Sequence, residues 1–391
     1  PSAVNREHAV RILVLNSGSS SIKYELFDMV DRSLLIGGAA ERIGEPGSDL
    51  VDHAAALDHI MDSLADAGAL DGGSGLLAIG HRVVHGGETF REPCVIDEQV
   101  IETIRELSSL APLHNPANLL GIEVAMARRP DVPQVAVFDT AFHHSIPPRA
   151  YRYAVPDDWY REHGVRRYGF HGTSHAYVTK QAARALGRPL AETNLIVLHL
   201  GNGASVTAVE GGKSIDTSMG LTPLEGLVMG TRGGDLDPGV LLHMARHAGL
   251  SVDEIDAALN RGSGLAGLCG VSDMRDILRR EADGDARAEL ALEVYVYRLR
   301  KYVSAYAAVL GRVDAIVFTA GIGENSPEIR ERVCAGLEIL GVRLDAALNR
   351  DDANRSRAIH EQGSSLAVWV IPTDEELEIA QQALRCVEGL P

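Results

Sequence analysis

The sequence predicts an α/β protein made of two related lobes, and three observations carry that expectation. At 391 residues the chain is longer than one hydrophobic core usually organises. Its apolar fraction of 45% is spread over mixed strand-like and helix-like patterns. A strand–turn–strand pattern also occurs once in each half. Ile12-Leu13-Val14-Leu15 is a short apolar run that stops at Asn16-Ser17-Gly18-Ser19-Ser20-Ser21 and resumes as Ile22-Lys23-Tyr24-Glu25-Leu26-Phe27. Residues 195–209, LIVLHLGNGASVTAV, repeat it around Gly201-Asn202-Gly203-Ala204-Ser205. A turn of small hydroxyl residues offers backbone N–H groups, and Lys23 adds an ammonium, a combination that suits phosphate. Taken alone, the first turn reads as an ordinary polar hairpin, because the Walker and dinucleotide glycine spacings are both missing. Its short, degenerate recurrence points to two lobes facing each other across a nucleotide.

We place the first lobe at residues 1–150, completed by the final helix at about 377–391, and the second at 151–376. The net charge of −17 argues against nucleic acid as a partner. It also means that anionic ligands must be held by local cations, backbone N–H groups or a metal ion. No apolar run approaches the ~20 residues that cross a bilayer, and the first ten residues contain no secretory apolar region. Cys94, Cys269, Cys334 and Cys386 show neither metal-ligand spacing nor dense pairing, which fits reduced thiols in the cytoplasm.

In chain order, residues 10–40 read as strands and 49–70 as a helix ending near Gly68. A strand over 76–84 runs into Gly80-His81-Arg82-Val83-Val84-His85-Gly86-Gly87, where Arg82, beside apolar Val83 and Val84, reads as a partly buried cation aimed at an anion. Residues 95–110 are helical. His114, between Pro112 and Pro116, is equally a structural histidine or a functional one. A strand over 135–138 ends in Asp139, placed either for catalysis at a strand's carboxyl end or as a helix cap. His171 lies between two glycines just before a helix over 175–186, capped by Thr173 or Ser174, where an anion is welcome. Residues 214–239 read as a long Gly/Thr-rich loop carrying the lone cation Arg232. Helices follow over 240–247 and 252–260, then a Gly-rich loop over 262–270 and a long helix over 286–310. The strand over 314–319 ends in Gly321-Ile322-Gly323-Glu324-Asn325-Ser326, read as a turn that lets backbone approach a flat ligand. A strand over 368–371 precedes Pro372-Thr373-Asp374-Glu375-Glu376, whose acids suit the start of the last helix for dipole reasons alone.

Taken together, NSGSSSIK, GHRVVHGG, LAPLHNP, VFDTAFH, YGFHGTSH, HLGNGAS, GTRGGDLDPG, SDMRD, FTAGIGENS and PTDEE form an ordered series from Asn16 to Glu376. That series resembles the acetate kinase family, within the acetate and sugar kinase/Hsp70/actin superfamily. The resemblance implies two duplicated lobes of the actin-like ATPase (ribonuclease H-like) type, with the active site in the cleft between them. It implies reversible, direct in-line transfer of the ATP γ-phosphoryl group to acetate, giving acetyl phosphate and ADP, with Mg2+ as cofactor and Mn2+ able to substitute. It assigns Asn16 and Glu375 to the metal, and Lys23, Ser19 and Ser21 to ATP phosphates. Arg82, Arg232, His171 and Asp139 become the catalytic set, with Arg82 also binding substrate. Val84, Leu113, Phe170 and Pro223 become the pocket for the acyl methyl group. His199, Leu200, Gly201, Asn202 and Gly203, then Asp273, Met274 and Arg275, then Gly321, Ile322, Gly323, Glu324 and Asn325 surround the nucleotide. Met274 stands where Phe is expected, so base preference is open. Because acetate is already ionised at neutral pH, Asp139 is expected to orient metal-bound water or Arg82 and not to act as a base. The resemblance also implies a homodimer. The alternatives are a kinase for propionate or another short-chain acid, and a nucleotide-driven switch without an acyl acceptor.

Overall fold

The structure, a computed structural model, describes residues 10–45, 48–68, 75–112 and 114–389. The chain divides into two compact units, Pro1–Ala141 with Asp374–Pro391, and Phe142–Thr373.

The first unit is built on a six-stranded sheet of β1 (Arg11–Ser17), β2 (Ser21–Asp28), β3 (Ser33–Glu41), β4 (Leu76–Val83), β5 (Cys94–Val95) and β6 (Gln134–Phe138). Its order is β3-β2-β1-β4-β6-β5, with β1, β4 and β6 parallel and the other pairs antiparallel. Successive side chains of a strand point to opposite faces, and both faces of β1 are covered, which explains why its 12–15 stretch is apolar throughout. Leu13 and Leu15 join a core with Leu57, Ile60 and Leu64 of the helix His53–Asp66. Ile12 and Val14 pack instead with Ile379, Ala380 and Ala383 of the chain's last helix, Glu375–Glu388. The C-terminal helix therefore completes the first unit's core.

The second unit repeats the plan with β7 (Leu195–Leu200), β8 (Ala204–Glu210), β9 (Lys213–Thr217), β10 (Ala315–Thr319), β11 (Arg357–Ala358) and β12 (Ala367–Val370). Read from its β9 edge the order is β9-β8-β7-β10-β12-β11, which matches the first sheet strand for strand and direction for direction. The two polar turns seen in the sequence occupy equivalent hairpins, β1–β2 and β7–β8.

Four local expectations change. The segment 214–239 begins as strand, because Gly211 and Gly212 both take positive φ and turn β8 into β9; the loop proper starts at Ser218. Residues 262–270 contain a helix, Gly264–Cys269, which buries Leu265 and Cys269 one turn apart. The Gly321–Asn325 turn is a helix too, Ala320–Asn325, entered through Ala320 at φ 63°, and Ser326 caps the next helix. The helix after His171 starts earlier than expected, at Gly172, so Thr173 and Ser174 lie inside it and do not cap it. The Ser174 hydroxyl instead bonds His199 Nδ1 at 2.7 Å and Thr373 Oγ1 at 2.8 Å.

Candidate active site

In the first unit, β4 ends at Val83 and β6 at Phe138, side by side and parallel. Arg82 and Asp139 therefore emerge next to each other. Arg82 Nη2 donates to Asp139 Oδ2 at 2.7 Å, and its Nε donates to Oδ2 and Oδ1 at 3.0 and 3.2 Å. Burial opposes charge on the guanidinium, but Asp139, Glu375 and Glu376 together raise its pKa far above the ordinary value. Both Asp139 oxygens are occupied by this pair.

The backbone after Arg82 is pinned by residues that the sequence reading passed over. Asn118 Oδ1 accepts from Val84 N at 3.1 Å, while its Nδ2 donates to Ser17 O at 2.7 Å. Asn115 bonds both the N–H and the C=O of His85 at 3.0 Å. These two asparagines, buried at i and i+3 in the first turn of helix Asn115–Arg128, tie the first polar hairpin to the Arg82 segment. The available signal was the pair of amides just after His114, on the face that turns inward. His81 is a core histidine bonded to Gln134, its pKa pushed down to about 4 by burial. Val84 is buried, and Leu113 lies outside the described residues.

The β1–β2 turn sets Asn16 opposite Lys23, with Ser19 and Lys23 exposed and Ser21 half-buried. Near it stand the carboxylates of Glu25, Asp374 and Glu376, each offering an oxygen within 4.8 Å of the others. Burial, then Glu376 and Asp374, push the Glu25 pKa up to about 7. Asp374 also caps the last helix through Leu377 N. Oxygen-only donors of this kind suit a hard divalent cation. Glu375, although its neighbours on both sides belong to that trio, acts electrostatically on Arg82.

In the second unit, His171 is held in the left-handed region at φ 57°, a conformation costly for a residue with a Cβ. Gly169 before it must be glycine, since a Cβ there would lie 2.5 Å from Thr217 and 2.7 Å from His143. Between them Phe170 is buried, its carbonyl bonded to His143 Nε2 at 2.9 Å. His171 stacks on His199 with ring centroids 4.1 Å apart and bonds Ser205 Oγ through Nδ1 at 2.9 Å. Arg232 donates from Nη1 to the Pro223 carbonyl at 2.7 Å. A Cβ built on Gly203 would sit 2.7 Å from Arg232 Nη2 and 3.4 Å from His171 Nε2. The two donors thus converge over the β7–β8 turn, on a space kept open by a missing side chain.

Beside that turn is a cavity of about 600 Å³. Gly201, Asn202, Asp273, Met274, Arg275, Gly321, Ile322 and Asn325 line it, with Ser272, Leu278, Ser326 and Glu328, which the sequence reading did not single out. Asp273 caps its helix, and hydrogen bonds from Arg275 hold its carboxyl down at about 2. Leu200 and Gly323 are buried behind this wall. Glu324 turns its carboxylate to Ala320 N at 2.7 Å and Thr373 N at 3.0 Å, joining the cavity's helix to the strand end beside it.

A glycine-opened donor pair beside a nucleotide-sized cavity agrees with what comparison finds. The model of the acetokinase family matches residues 11–381. The chain belongs to the acetokinase family. Among curated relatives, the acetate kinase of Streptomyces avermitilis is 56% identical, covering 96% of this chain and 97% of its own. That of Clavibacter michiganensis is 54% identical, covering 97% and 99%. Among solved structures, Porphyromonas gingivalis acetate kinase aligns with a TM-score of 0.90 at 42% identity, covering 97% of this chain and all of the other. A propionate kinase from Francisella tularensis aligns at 0.91, also at 42% identity, covering 98% and 100%. This acetokinase thus shares its whole two-unit plan with enzymes named for two neighbouring substrates.

Proposed function

We propose that this acetokinase is an acetate kinase, transferring the ATP γ-phosphoryl group to acetate, reversibly and in line. The observation that carries the reading is the convergence of Arg232 Nη2 and His171 Nε2 over Gly203, beside the cavity. Phosphoryl transfer needs positioning and charge stabilisation more than covalent chemistry, and an arginine on the transferring group contributes ~10³–10⁵ in rate. Arg232 and His171 stabilise the equatorial oxygens, and backbone N–H groups of residues 201–203 hold the phosphate chain. The purine and ribose lie in the cavity against Met274, Gly321 and Ile322. Arg82 is assigned to the acetate carboxylate, and Val84, Leu113, Phe170 and Pro223 are assigned to its methyl group. Asp139, with both oxygens on Arg82, orients that arginine. Lys23, Ser19 and Ser21 meet the ATP phosphates.

Asn16 and Glu375 are the residues we assign to Mg2+, and the separate cluster of Glu25, Asp374 and Glu376 near the first hairpin offers oxygen donors of the kind Mg2+ prefers. Bound there, Mg2+ would neutralise phosphate charge. Mn2+, equally oxygen-seeking, would substitute.

The test is ADP release from Mg-ATP with acetate, propionate, butyrate or no acid, with hydroxylamine trapping of the acyl phosphate. Trapped acetyl hydroxamate, with acetate preferred, is the expected result. The Francisella relative keeps propionate as the second reading, and one methylene is worth only ~1–3 kcal/mol, so the two activities overlap. ADP release independent of any acid would overturn both readings and favour a nucleotide-driven switch.

We also propose a homodimer formed by the second unit. Leu242 and Val252 are 55% and 82% exposed on helices Pro238–His243 and Val252–Arg261, neither of which buries a residue. Light scattering of wild type and of Leu242→Glu tests this, a dimer turning to monomer being expected. Four unpaired cysteines fit a cytoplasmic setting.

A further inference from the structure

If His171 donates to the transferring group, its Nε2 must carry the ring proton, and that choice is made behind it. Ser205 Oγ, fully buried on β8, lies 2.9 Å from His171 Nδ1 and 2.8 Å from His175 Nε2. A serine hydroxyl has one proton to give. It serves one ring, and the other ring must donate to it.

The two directions are not equivalent. His175 is 0% exposed, and its Nδ1 has no hydrogen-bond partner among the described residues. Were Ser205 to donate to His175, the His175 proton would sit on Nδ1, as a buried N–H pointing at nothing. Orphaned buried N–H groups are rarer than unpartnered acceptors. Were both rings to donate to Ser205, its own proton would need a third acceptor, and none is bonded to it among the described residues. A doubly protonated His171 meets the same obstacle, because its Nδ1–H would force the hydroxyl round towards His175. Burial, with His143 and His199 nearby, holds the His175 pKa well below its ordinary value, so that ring is neutral. The neighbouring His143 is fixed in the same sense, Nε2 donating to the Phe170 carbonyl and Nδ1 facing the Ser214 hydroxyl at 2.9 Å.

We propose that His175 and Ser205 are positioning residues that fix the tautomer of His171: His175 Nε2–H donates to Ser205 Oγ, whose hydroxyl donates to His171 Nδ1. The His171 proton is left on Nε2, the nitrogen 3.4 Å from where a Gly203 Cβ would stand. The catalytic consequence rests on the donor reading of His171; the tautomer itself does not.

Long-range nitrogen–proton NMR of protein labelled in its histidine nitrogens tests this, with the His171 signals assigned by their loss in His171→Asn. We expect a neutral His171 near pH 7 with its pyrrole-type nitrogen at Nε2. In Ser205→Ala we expect a mixture of tautomers and kcat lower by about tenfold, with both KM values within about twofold. A wild-type His171 protonated on Nδ1, or on both nitrogens, overturns the proposal. So does a Ser205→Ala protein whose His171 tautomer is unchanged. Should Ser205→Ala fail to fold, the wild-type spectrum decides alone. Wild-type turnover in His171→Ala would overturn the donor reading and the effect on rate, while the spectrum still reports the relay.

Discussion

Arg82 and Asp139 leave the carboxyl ends of neighbouring parallel strands and close on each other through three hydrogen bonds, with Asp139 only 1% exposed. A carboxylate engaged this way fixes the plane of the guanidinium through its Nε and Nη2 groups. Asp139→Asn keeps the shape and loses half of the pairing. We expect kcat to fall by about 10²-fold, the scale of a small misplacement of a reacting group. Near-normal turnover at saturating Mg2+ would remove Asp139 from the mechanism.

Gly203 is the second lever. Its φ is unremarkable, so alanine costs the backbone little, but the new methyl enters the space between Arg232 and His171. We expect Gly203→Ala to lower kcat at least tenfold while the thermal midpoint moves by no more than about 2 °C. A fully active variant would mean that the transferring group lies elsewhere.

Glu25 ties stability to pH. Its carboxyl titrates at about 7 in the folded chain against 4.5 when exposed, so between those values the folded state binds more proton than the unfolded one. Stability therefore falls as pH rises through that window. Glu25→Gln should melt higher than wild type above pH 7, by roughly 1 kcal/mol once partial exposure is allowed for, and match it near pH 5. Mg2+ should narrow the difference. Parallel melting curves at all pH values would contradict the assignment.

Arg167 braces the loop that carries Pro223 and Arg232. Its Nη1 donates to the carbonyls of Thr217, Ser218 and Met219 at 2.7, 3.1 and 3.2 Å, and its Nη2 to Glu225 Oε1 at 2.7 Å. Arg167→Met leaves Glu225 without its cation beside Asp216 and Tyr153. We expect a loss of about 2–3 kcal/mol and a fall in kcat larger than any change in KM. Destabilisation with unchanged kcat would show that the loop is placed by other contacts.

The sequence by itself determined where the buried strands lie and that the plan recurs. The apolar stretches of β1, β7 and β10 marked buried strands, and the recurring polar turn announced the duplication; the order and direction of the strands, identical in the two sheets, came from the tertiary structure. Arg82, His171 and Arg232 stood out because isolated cations or imidazoles among glycines have little structural reason to be there. Short helices were harder: Gly264–Cys269 and Ala320–Asn325 are one-and-a-half turns rich in glycine, where local propensity favours a turn and packing of Leu265, Cys269 and Gly323 overrides it. What only the tertiary structure decided is which polar groups meet. The Asn115 and Asn118 clamps and the Arg82–Asp139 pair join positions 30 or more residues apart, and so does the Ser205 bond to His175. No periodicity encodes such partners, because they are selected by the requirement that buried polar groups find one another once the strands have set their register.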